Sequence, residues 1–104
     1  MRKLTLLAAI CAALGATPAK ADSLKSDFPI CISKELLGQM YEAMLQRDAR
    51  GADYLFHHGC FMTRDGVQVS LLDRDGPDTH VRVYGGKRPV EAWVSVGALA
   101  SYQP

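Results

Sequence analysis

Cys31 and Cys60 stand on either side of the most strongly patterned stretch of this 104-residue chain, and they constrain its fold more than any other pair of residues. Between them Leu36, Leu37, Met40, Tyr41, Met44 and Leu45 recur at helical spacing, which marks one apolar stripe. Ser33 is placed to cap that helix and Glu35 suits its positive N-terminal end. Arg47 and Arg50 suit the opposite end, just before Gly51. The pattern predicts a helix from about Lys34 to Ala49. A stripe on one face needs a cover, so the rest of the chain must supply the other side of a core.

The compartment follows from the start of the chain. Met1-Arg2-Lys3 is followed by an apolar run from Leu4 to Ala16, and Ala19-Lys20-Ala21 is a small-x-small cleavage pattern after the helix-breaking Pro18. This predicts a signal peptide over residues 1–21, cut after Ala21, and a periplasmic or secreted location. The apolar run falls well short of the roughly 20 residues that a membrane span needs. Cys11 lies inside it, but the bulky Ile10 stands where a lipid-acceptor signal carries a small residue.

Removal of the leader leaves 83 residues, 22–104, enough for one small domain whose hydrophobic core alone is marginal. Nine Lys and Arg then face eleven Asp and Glu, for a net charge of −2. With no basic run, nothing in the charge pattern supports nucleic-acid binding. Cys31 and Cys60 become the only cysteines, so in an oxidising compartment they are expected to form a disulfide. Their spacing is not that of a redox or zinc motif.

After Cys60 the periodicity changes from helical to alternating, the sign of half-buried strands. Cys60 to Thr63 reads as a short strand and Arg64-Asp65-Gly66 as a turn; Val67, Val69 and Leu71 then form one face of the next strand. The stretch Asp73 to Asp78 is dense in turn residues. Thr79 to Tyr84 forms a further strand, Gly85-Gly86 a hairpin and Pro89 to Val94 a last strand, with its proline suited to a sheet edge. Ser95 to Leu99 reads as a brief helical turn that returns Leu99 to the core, and Asp22 to Phe28 as a polar lead-in.

The stretch from Gly66 to Leu99 resembles the bacterial SH3-like (SH3b) domains of exported cell-envelope proteins. Gly66-Val67, Val69 and Leu71-Leu72 match the first strand of that pattern, Val81-Arg82-Val83 before Gly85-Gly86 the second, and Trp93-Val94 with Leu99 its ending. The resemblance implies a small antiparallel SH3-like β-barrel or meander; with the helix and the length read above, the expectation is a single α+β domain over residues 22–104, with an N-terminal amphipathic helix packed on that sheet. It also implies a role in binding peptides, cell-wall material or another protein.

Chemistry is sparse. His57, His58, Cys60 and His80 are the residues nearest to a metal-ligand set, but no carboxylate stands at a motif spacing from them. Asp73, Asp75 and Asp78 lack the terminal glutamate of a calcium loop, and Pro77 interrupts them. Neither a nucleophile elbow nor a phosphate-binding glycine loop is present. The expectation is a non-enzymatic binding or interaction module that needs no metal or cofactor. Its partner would be an envelope protein, a peptide or peptidoglycan. Arg82, Tyr84, Lys87, Arg88 and Trp93 are the candidate contact residues, aromatic and basic groups suited to an acidic peptide or a glycan. For Trp93 a place in the core of the small barrel is the competing reading. An inhibitor of an envelope or host hydrolase, using the Asp73 to Asp78 turn, is the alternative function.

Overall fold

A computed structural model describes residues 20–103, and their order is strand, strand, two helices, then four strands. The strands are β1 (Lys20–Ser23), β2 (Pro29–Cys31), β3 (Cys60–Met62), β4 (Gln68–Asp75), β5 (Asp78–Val83) and β6 (Val90–Ser95). The helices, α1 (Lys34–Leu45) and α2 (Ala49–Phe56), lie between β2 and β3. All six strands join one antiparallel sheet in the order β1-β4-β5-β6-β2-β3.

This corrects the expected architecture. The helices occupy the middle of the chain, with two strands ahead of them, and the sheet is open, with β1 and β3 as its edges. The polar run before Phe28 hid the first strand. Leu24 after β1 is 3% exposed, and its backbone bonds both Val67 O and Gly66 N–H. Most of the predicted signal peptide lies outside the described residues, and the expected cut after Ala21 falls within β1. No helix among the described residues is long and apolar enough to cross a membrane.

Alternation along the strands builds a core on each face of the sheet. On the inner face Ile30, Val69, Val81, Val83, Ala92 and Val94 pack with Leu24, Ala98 and Leu99. Thr79 shares that face on β5, fully buried, and its hydroxyl has no hydrogen-bond partner. On the outer face Cys31, Cys60 and Trp93 pack beneath Leu37, Met40, Ala43 and Leu55 of the two helices. A bulge at Leu72 shifts the β4–β5 register, so that Asp73 rather than its predecessor lies opposite His80.

The helical layer differs from the expected single helix to Ala49. Ser33 caps α1 as its position suggests, its hydroxyl accepting the Leu36 N–H at 3.1 Å. The helix then ends four residues early in a Schellman motif: Arg47 N–H bonds Met44 O, Asp48 N–H bonds Ala43 O, and Arg47 takes φ +54. Asp48 starts α2 by accepting the Gly51 N–H at 2.9 Å. Because α2 folds back against Ala43, Met44 and Leu45 at the end of the expected stripe are exposed, Leu45 at 84%.

The expected disulfide is present. Cys31 and Cys60 lie directly opposite each other on β2 and β3, 29 positions apart in sequence and 4.0 Å between Cα atoms. The next pair, Ile32 and Gly59, is hydrogen-bonded at 2.8 Å, so the cysteines occupy the narrower, non-hydrogen-bonded site. Gly59 at φ +116 permits the turn into β3; a β-carbon there would meet Ile32 Cγ1 at 2.8 Å.

Candidate functional site

The β4–β5–β6 meander carries the five residues singled out from the sequence, and its pleat divides them. Arg82, Tyr84 and Trp93 are on the outer face. Arg88 lines a cavity that opens from the inner cluster, and Lys87 is exposed in the loop between β5 and β6. The structure therefore does not bring the five to one surface.

On the outer face the polar side chains are tied to one another. Arg82 lies opposite Glu91, and its guanidinium donates to that carboxylate at 3.3 Å. His80 Nε2 is 3.3 Å from the other Glu91 oxygen, and its ring stacks on Trp93 at 4.8 Å between centroids. Tyr84 and Ser70 share a hydroxyl hydrogen bond of 2.8 Å. That bond, with the neighbouring Arg82 charge, holds the Tyr84 phenol below its ordinary pKa, while bonds to Tyr84 and Glu91 hold the Arg82 guanidinium above its own.

Trp93 is half-buried at the boundary between this open strip and the helices. Lys34 Nζ lies 5.8 Å from the centre of its ring and forms an ion pair with Asp75. The other end of the face is covered by Tyr41, whose phenol is pushed up by burial and by Asp78, against the opposing effect of a bond to Ser95.

A half-open cavity on the inner face has a volume of about 240 Å³. Leu24 and Val83 form its buried floor, and Phe61, Met62 and Val90 are its exposed apolar walls. Arg64 and Arg88, both exposed, complete the lining with positive charge. It forms where the chain turns between the two ends of the sheet. Thr63 fixes that corner: its hydroxyl donates to Lys25 O at 2.6 Å and accepts the Phe28 N–H at 2.9 Å. Of the lining residues, sequence reasoning singled out Arg88 alone. Phe61 and Met62 read as part of a strand, and nothing local says that this strand ends a sheet.

The remaining candidates stay apart. His57 and His58 each turn Nδ1 back to their own helix, donating to Asp53 O and Tyr54 O at 2.8 and 2.6 Å, and Cys60 is held in the disulfide. His80 is on the sheet, away from both. Among the described residues no three His, Cys, Asp or Glu side chains are grouped so as to hold a metal ion. Strands β4 and β5 run through most of the Asp73 to Asp78 stretch, leaving Gly76-Pro77 as a two-residue turn with Gly76 at φ +62. Comparison with protein-family models, with curated proteins and with solved structures gives no match.

Proposed function

We propose that this chain is an exported, non-enzymatic binding module of the cell envelope and that it engages its partner at the cavity beside β3. The single observation that carries this reading is the pairing of Phe61, Met62 and Val90, large and exposed, with Arg64 and Arg88 around one hollow. Exposed apolar surface gathered in one place, with charge at its margin, is the usual anatomy of an interaction site. The Cys31–Cys60 disulfide suits an oxidising compartment, and the leader pattern provides the route to it.

A partner for this surface is apolar at its centre and negative at its edge. Envelope proteins, peptides and peptidoglycan fragments with their free carboxylates all offer that chemistry. The test is capture from envelope extract under oxidising conditions, with the exported protein as bait beside an Arg64→Glu/Arg88→Glu variant. Retention of a protein or of peptidoglycan by the wild type, and its loss in the variant, is the expected result. Equal retention by both would remove the cavity from the function, and no retention by either would remove the binding role.

A further inference from the structure

We infer that the occupant of this cavity is an extended acidic peptide segment of another protein, laid along β3 with one aromatic side chain inserted; this rests on the binding role proposed above. Three observations converge. The first is size: a cavity of about 150 Å³ accommodates a benzene ring, so about 240 Å³ accommodates one aromatic side chain with room for its stem.

The second is the sheet edge. Among the described residues β3 is paired on one side, by β2. The backbone hydrogen bonds of that ladder at 59 with 32 and 63 with 28 turn the N–H and C=O of Met62 outward, beside the cavity that this residue lines with Phe61. An added strand that meets Met62 there stands next to the hollow and can direct a side chain into it.

The third is charge. Arg64 and Arg88 line the hollow and Lys87 adjoins Arg88 in the exposed β5–β6 loop, with Asp65 the acidic neighbour of Arg64. A second copy of this chain, paired edge to edge about a two-fold axis, would set these cations against their own counterparts. Glutamate or aspartate flanking the aromatic residue matches them instead.

The experiment uses the full exported protein and a blocked hexapeptide in which phenylalanine is flanked by glutamates, titrated by calorimetry or fluorescence anisotropy. Binding is expected to weaken about tenfold or more when alanine replaces the peptide's phenylalanine, when lysine replaces its glutamates, and in the Arg64→Glu/Arg88→Glu protein. Met62→Pro removes the outward N–H without touching the β2 ladder and is expected to weaken binding similarly. Near-UV circular dichroism of each variant shows that the fold is intact. Binding that is indifferent to Met62→Pro would overturn the strand-addition geometry. If the peptide fails to bind while envelope capture remains sensitive to the arginine reversal, the peptide inference falls and the binding role stands. If both experiments fail, both readings fall. A concentration-dependent dimer that Phe61→Ser abolishes would assign the surface to a second copy and overturn the inference.

Discussion

Ile30 and Cys31 are consecutive residues that belong to different cores. Ile30 lies opposite Val94 and packs in the inner cluster, while Cys31 lies opposite Trp93 and packs beneath the helices. The period-two geometry of a strand makes this unavoidable, and a slip of one residue in β2 would exchange the two sets. Strand β2 is thus the place where the two hydrophobic layers are joined.

The disulfide is expected to stabilise that junction. For a loop of 29 positions the chain-entropy model gives about 3.5 kcal/mol, so a Cys31→Ser/Cys60→Ser protein should unfold at correspondingly lower urea. Amide exchange should show the loss concentrated in α1 and α2, with the β4–β5 ladder retaining more protection. Uniform loss across both layers would show that they do not behave as separable units.

Arg47 carries a side chain in a left-handed backbone conformation at the end of α1. Glycine adopts that conformation without the clash, so Arg47→Gly is expected to raise stability by about 1 kcal/mol despite the added flexibility of the unfolded chain. Thermal and urea unfolding would measure it. A destabilised variant would mean that the arginine side chain contributes more than its backbone costs.

Thr79 places a hydroxyl in the inner core with nothing to bond it, beside a ladder partner, Val94, that is wholly apolar. Thr79→Val keeps the shape and removes the orphaned group, and should add about 1–2 kcal/mol. At Thr63, which is also buried, the same change would cost stability, because that hydroxyl holds two backbone groups.

Asp22 links β1 to the C-terminal tail, bonding the Ser101 hydroxyl and accepting the Ser101 N–H at 3.3 Å. Burial pushes its carboxyl up, but the Ser101 hydroxyl, the Ser23 and Ser101 amides and the Lys20 charge together hold it below the ordinary aspartate value. A depressed folded pKa means that the contribution is complete above the unfolded value and is lost as pH falls through the folded one. Protection of the Ala100 N–H, which bonds Ser23 O, should therefore fall below about pH 4 in the wild type. Asp22→Asn should abolish that acid step, and an identical step in both proteins would exclude Asp22 as its source.

The parts legible in the sequence were those governed by local pattern. The Ser33 cap, the start of α1, the three meander strands and the return of Leu99 to the core all follow from periodicity and turn chemistry. What escaped depended on distant partners. β1 carries no clear alternation, because an edge strand of Lys20, Ala21, Asp22 and Ser23 is ordered by β4 and the tail. Pro89 suggested that β6 lies at an edge; the strand is internal, but β2 pairs with it at Trp93 and Val94 and leaves the proline end free. Asp48 read as the interior of one helix because its capping role appears once Arg47 has reversed the chain. The candidate site was divided for the same reason: Arg82 and Arg88 are near in sequence, and the pleat and the β5–β6 loop carry them to different faces.

With Cα atoms 4.0 Å apart, Cys31 and Cys60 make the exit from the sheet and the re-entry to it neighbouring points. The sheet consequently has no geometric stake in how far the chain travels between them. Residues added to or deleted from the Gln46 to Asp48 connection change the helical excursion while both anchoring strands keep their register, so the α1–α2 layer behaves as an exchangeable cassette mounted on a fixed frame.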